Sequence, residues 1–192
     1  MATQTKRLGA VAVAFLFFLL LLCPASPARA QHIQLSNLIL DNEAGAIAVR
    51  FSLALEEDEP LAAMLKEGAV VALRCQASLS RKREYWSDEQ IAEAELISRV
   101  RNDALTREFV VEMPGAPQPA RSVNLPALLG LTWNKIAMDL GPFSSLKRGE
   151  EYVLELKVTL SHDDVPAWMR WALFFWSWKV APAATYQMEF LY

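Results

Sequence analysis

The sequence has few of the residues that usually carry out chemistry. Its 192 residues include two cysteines, two histidines and seven glycines. It contains no glycine-rich phosphate loop, no Gly-x-Ser-x-Gly nucleophile elbow and no His-Glu-x-x-His zinc motif. A zinc site needs three or four converging ligands, and no such set is evident around His32 or His162. The sequence therefore predicts no cofactor and no metal, and it favours a non-enzymatic protein over a hydrolase built on His162.

Positive charge is not in excess either. The formal net charge is −3, whereas nucleic-acid-binding domains usually carry a basic surplus that neutralises phosphates. We therefore expect no nucleic-acid partner. The chain is also 53% hydrophobic, which excludes intrinsic disorder because disordered chains have too little apolar surface to bury.

The N-terminus has the pattern of an export signal. Two basic residues precede an apolar run over 8–22, and the small residues Ala28 and Ala30 place a cleavage site before Gln31. The run is shorter than the roughly 20 apolar residues that span a bilayer. The pattern predicts a cleaved secretory signal peptide over 1–30 and a periplasmic location. The alternative is a chain anchored in the membrane by an uncleaved N-terminus.

Neither cysteine is expected to form a disulfide. Cys23 follows two leucines in a pattern similar to a lipoprotein box, but the bulky Leu22 just before it disfavours lipidation, and cleavage before Gln31 would remove it. Cys75 lies within an apolar alternation, where a free cysteine most often packs as a small hydrophobic side chain.

The rest of the chain alternates between apolar and polar residues with a period of two. This period is typical of half-buried strands. It is clearest over 47–55, 71–79, 152–160 and 186–192, and weaker over 33–41, 91–101 and 106–113. The sequence around Gly45 predicts a hairpin turn between the first two strands.

Three helices interrupt the strands. Pro60, preceded by acidic residues, predicts a helix over 59–67, and Ser122 is a candidate cap for a second helix over 122–137. A third is expected over 166–177, and three prolines make 113–119 a loop. The prediction is a mainly β chain with one domain over 31–192. Its expected fold is an antiparallel β-sandwich, immunoglobulin-like or transthyretin-like, with two or three short helices.

Several stretches resemble a bacterial exported family, domain of unknown function 4390. They are a basic-then-tryptophan stretch at Arg81–Asp88, a polar turn leading into a strand at Arg101–Phe109, and a C-terminal third similar over Leu146–Tyr152, Ser161–Pro166 and Trp176–Trp178. The family has no established activity, so the resemblance implies no functional residue. Some members are thought to be encoded beside a membrane sensor kinase, which suggests such a partner.

The first candidate surface is basic and aromatic. If the strands around 75 and 95 form a hairpin, then Arg81, Arg83 and Trp86 lie near its turn, while Arg99 and Arg101 project from one strand face. Arginine and tryptophan are enriched at binding hot spots, so this surface would suit an acidic partner or an anionic lipid headgroup. The alternative is a solvated strand edge whose charges discourage aggregation.

The second candidate surface is a tryptophan-rich segment over 166–178, which holds four of the six tryptophans. As a helix it would place Trp168, Trp171 and Phe175 on one face. It is too short to span a bilayer. Aromatic side chains on nearly every side exceed what one core contact covers, so we expect part of the segment to be exposed as an interaction site. The alternative is a helix packed over one open end of the sandwich, where aromatic side chains bury a large area.

Taken together, these patterns predict an exported accessory or interaction module. Its expected partner is an envelope or inner-membrane protein, such as a sensor kinase, or a membrane surface. The alternative is a carrier of a small apolar ligand or lipid, in a cavity walled by Trp133, Trp168, Trp171 and Phe174.

Overall fold

The computed structural model describes residues 32–163 and 179–192. Their elements, in chain order, are β1 Ile33–Glu43, β2 Ala46–Leu55, α1 Glu59–Lys66, β3 Val71–Arg81, β4 Glu89–Asp103, β5 Glu108–Glu112, β6 Ala120–Ser122, α2 Leu125–Thr132, β7 Ile136–Pro142, β8 Glu151–His162 and β9 Lys179–Leu191. A 3-10 turn, Phe143–Ser145, follows β7.

These strands form two antiparallel sheets. The larger sheet has the order β6-β5-β4-β3-β8-β9, and the smaller has the order β1-β2-β7. Neither sheet closes on itself, and strands dominate the chain. The prediction of a mainly β, antiparallel sandwich is confirmed.

The core lies between the two sheets. On β3 the inward residues from Val71 to Leu79 are fully buried at every second position, as the alternation predicted. At the end of the core beside the β3–β4 turn, the rings of Tyr152 and Phe190 stack with their centroids 5.7 Å apart. Fully burying one large aliphatic side chain contributes about 1.5–3 kcal/mol, so the apolar alternation supplies most of the driving force for folding.

The first hairpin turn and the first helix lie where the sequence predicted them. Ala44 and Gly45 both have positive φ, 52° and 87°, as a two-residue hairpin turn requires, and the Asn42 side chain accepts a hydrogen bond from the Gly45 amide at 3.0 Å. Helix α1 begins with Pro60 in its first turn and buries Leu61 and Leu65. The 113–119 stretch is a loop between β5 and β6.

The second helix is shorter than predicted. The cap is Asn124, whose side-chain oxygen accepts from the Ala127 amide at 3.0 Å, and not Ser122, which forms the end of β6. The helix ends at Thr132, and the next carbonyl, that of Trp133, accepts a hydrogen bond from the Leu53 amide of β2. The predicted helix over 122–137 is therefore wrong in its C-terminal third, where Ile136 begins strand β7.

The third predicted helix, over 166–177, lies outside the described residues. Within the described residues, no helix is both long enough and apolar enough to cross a membrane.

Candidate functional site

The predicted arginine cluster is divided between the two ends of the large sheet. Strands β3 and β4 form the expected hairpin, but Arg81 pairs with Glu89 beside the turn, whereas Arg99 pairs with Ala72 at the opposite end. Arg81 lies nine residue steps along β3 from Ala72, which corresponds to roughly 30 Å. The five basic and aromatic residues predicted in this region therefore do not form one surface.

At the end of the sheet opposite the β3–β4 turn, Arg99 and Arg101 both pair with carboxylates. The Arg99 Nε lies 2.5 Å from an Asp163 carboxylate oxygen, and the Arg101 Nε lies 3.7 Å from a Glu112 oxygen. The Asp163 carboxylate raises the pKa of Arg99 above its usual value. The charges of Arg99 and Arg101 are therefore already compensated within the chain, so neither residue offers a free positive charge to an acidic partner.

The other end carries a seven-residue loop over 82–88, which we call the hairpin tip. Arg81 and Arg83 both contact the Glu89 carboxylate, with Arg83 at 2.5 Å. The two guanidinium groups, Arg83 first and then Arg81, hold the pKa of Glu89 below its usual value. Arg81 is half-buried and pairs across the sheet with the core residue Tyr152. Arg81 therefore lies at the end of the core, with its guanidinium group paired to Glu89.

The base of the hairpin tip is fastened to the neighbouring strands. The Lys82 amide donates to the Glu151 carbonyl at 2.9 Å, and the Lys82 ammonium group forms an ion pair with Glu189 on β9. The Asp88 carboxylate accepts from the Arg83 amide at 3.4 Å. The first two contacts tie the start of the loop to strands β8 and β9, and the third joins its two arms.

Two large aromatic side chains stand at this apex. Tyr85 and Trp86 are 87% and 79% exposed. A cleft of about 770 Å³ lies beside them, lined also by Glu84, Asp88 and Glu150. Tyrosine and tryptophan are enriched at binding hot spots, and both rings at this apex are accessible to a partner. The hairpin tip is the candidate binding site.

The sequence did not indicate the second wall of this cleft. The 149–151 segment lies beside the hairpin tip because β8 pairs with β3 in the register Tyr152 to Arg81. Alternation identifies strands and their faces but not which strands are neighbours. The sequence patterns therefore predict the hairpin side of the cleft but not the 149–151 side.

Cys75, one of the residues considered for catalysis, packs in the core. Cys75 is fully buried, and burial raises the pKa of its thiol to about 12, so the thiol is protonated at neutral pH and is a poor nucleophile. His162 is half-buried at the end of β8, opposite Val71. Within 32–163 and 179–192, no group of three or more His, Cys, Asp or Glu side chains could hold a metal ion.

Trp133 is also a core residue. It is fully buried, and its indole N–H donates to the buried Ser98 hydroxyl at 3.1 Å. Trp168, Trp171 and Phe175, proposed as the second candidate surface, lie outside the described residues, as does Phe174.

The protein is a two-sheet antiparallel β-sandwich, and two exposed aromatic side chains stand at its hairpin tip. The family described as domain of unknown function (DUF4390) matches residues 30–189, and the chain belongs to it. No curated protein and no solved structure matches the chain.

Proposed function

We propose that this protein is an exported, periplasmic, non-enzymatic module that binds an envelope protein through its hairpin tip. The observation that carries the proposal is the pair Tyr85 and Trp86, which present their rings to solvent at the apex of a tethered loop. Large exposed aromatics are unfavourable in water unless a partner covers them. An inner-membrane protein such as a sensor kinase is the expected partner class.

The composition of the tip favours a protein partner over an anionic membrane surface. Arg81, Lys82 and Arg83 are each paired with a carboxylate, and Glu84, Asp88 and Glu150 line the adjacent cleft. A membrane-binding loop would present uncompensated basic residues to anionic lipid headgroups. An aromatic apex surrounded by charges of both signs instead resembles the centre and rim of a protein interface.

Crosslinking in intact cells tests this proposal. A photoreactive amino acid in place of Trp86 is expected to capture an envelope protein, identified by mass spectrometry. The matched control carries the same amino acid at Leu105, which is 95% exposed in the turn between β4 and β5, at the other end of the sheet. Capture at position 86 but not at 105 supports the proposal. Identical adducts at both positions, or none at 86, contradict it.

Export has its own test. The mature protein is expected to begin at Gln31, because Ala28 and Ala30 form the cleavage pattern and the family match starts at residue 30. Intact-mass measurement of the periplasmic fraction checks this result. A chain that begins at a lipid-modified Cys23, or an uncleaved chain recovered with membranes, would each refute the predicted cleavage.

A further inference from the structure

Strand β9 has the longest unpaired edge among the described strands. It pairs with β8 on one side, and no strand within 32–163 or 179–192 pairs with it on the other. An open edge presents a row of backbone N–H and C=O groups that can recruit another strand, and natural proteins usually protect such edges.

The other edges of the two sheets carry recognisable protection. Strand β6 has only three residues. Strand β7 is short and ends at Pro142. Strand β1 has a register shift between Ser36 and Ile39, and carries the acidic residues Asp41 and Glu43 near its end. Short length, proline, irregular register and charge are the usual means of preventing edge pairing.

The C-terminal half of β9 has almost none of these features. Pro182 and the register shifts lie in its first half, whereas residues 184–191 pair with β8 without interruption. Glu189 is the one charged residue in that stretch. About eight consecutive residues of regular strand therefore present an edge with one charge and no irregularity, although strand β1 of the smaller sheet also approaches β9.

The inward side chains along this edge are incompletely covered. Tyr186 lies on the core-facing side of β9, opposite Leu156, yet is 43% exposed. Met188 and Phe190 on the same side are half-buried. A further strand added to β9 would extend the sheet and cover these apolar side chains.

We propose that the added strand is β9 of a second copy of this chain, joined antiparallel across a two-fold axis. In the register centred on Gln187, Tyr186 lies opposite Met188 of the second copy and Glu189 lies opposite Thr185. Residues directly opposite in an antiparallel pair point to the same face, so apolar side chains meet apolar ones and no like charges face each other. The stretch is thus complementary to itself, as a two-fold interface requires.

The dimer joins two six-stranded sheets into one continuous sheet. Its interface consists mainly of backbone hydrogen bonds and one row of inward side chains. Such a small interface is expected to be weak and to depend on protein concentration. The inference does not rest on the hairpin tip, and either proposal can fail without the other.

Analytical ultracentrifugation of the purified full protein tests the inference, with Tyr186→Lys as the disrupting variant. An inward-pointing charge is a natural protection against edge pairing. Position 186 is partly exposed, so the ammonium group of the introduced lysine reaches water in the monomer. In the dimer, the second copy of β9 would cover that group. We expect the wild-type mass to approach twice that of one chain as concentration rises, and the variant to remain monomeric. Ala137→Lys, at an exposed position on the edge strand β7, is the control and should leave the dimer intact.

Hydrogen exchange on the wild-type protein provides a second readout that needs no substitution. Amides within 184–191 are expected to exchange more slowly as protein concentration rises, while those of β7 stay unchanged. A wild-type protein with the mass of one chain at every concentration would overturn the inference. So would a dimer that persists in a folded Tyr186→Lys variant, or exchange in β9 that does not depend on concentration.

Discussion

Replacement of Trp133 by alanine is expected to lower the free energy of unfolding by about 3–5 kcal/mol. The side chain is fully buried and lies where α2 passes into β7. Its removal leaves a cavity and also deprives the buried Ser98 hydroxyl of its indole donor. Domains of this size have a total stability of about 5–15 kcal/mol. Urea denaturation followed by circular dichroism measures the loss.

A double-mutant cycle separates the hydrogen bond from the packing. Ser98→Ala leaves a buried indole N–H without an acceptor, which costs about 1–3 kcal/mol. Trp133→Phe keeps most of the ring but removes the donor. Because the double variant leaves neither partner unsatisfied, its loss should be smaller than the sum of the two single losses. Exact additivity would show that the 3.1 Å contact contributes nothing.

Replacement of Trp86 by alanine is expected to weaken partner capture at least about 30-fold, which corresponds to a hot-spot loss of about 2 kcal/mol or more. The ring is 79% exposed, so its removal should change the free energy of unfolding by less than about 0.5 kcal/mol. Binding of the crosslinked partner to purified wild-type and variant proteins, measured by interferometry, gives the ratio of affinities.

Leu105→Ala is the matched control for that measurement. Leu105 is more exposed than Trp86 but lies at the other end of the sheet, so its loss should leave affinity unchanged within about twofold. Equal losses for both variants would indicate nonspecific hydrophobic adhesion. Arg81→Ala is a less specific test of binding, because it also removes the ion pair between Arg81 and Glu89.

The region from α2 to β7 shows how far local sequence signals reach. Leu125, Leu128 and Leu129 fit a helical face and are buried as predicted. Ile136, however, had been assigned to the same helix. The alternation of Ile136, Met138 and Leu140 with exposed residues already matched a strand, but a short apolar run can fit both periods. In the structure Ile136 pairs with Phe51 of β2 and so lies in a strand, and that pairing joins residues distant in sequence.

The candidate site was predictable only in part, for a similar reason. The hairpin and its exposed aromatics follow from the alternation and from the polar loop between two strands. The separation of Arg81 from Arg99 follows from hairpin register, which fixes positions along a strand as well as faces. The 149–151 wall of the cleft depends on the neighbour of β3, which is set by the packing of the whole core.

The pairing of β3 with β8 also bears on how the protein is made. It joins Val71 to His162 and Arg81 to Tyr152, so the middle of the larger sheet cannot assemble on the ribosome before most of the polypeptide has been translated. Contacts this distant in sequence make folding slow, on the order of milliseconds to seconds. The larger sheet is therefore completed only after strand β8, which ends at His162, has been synthesised.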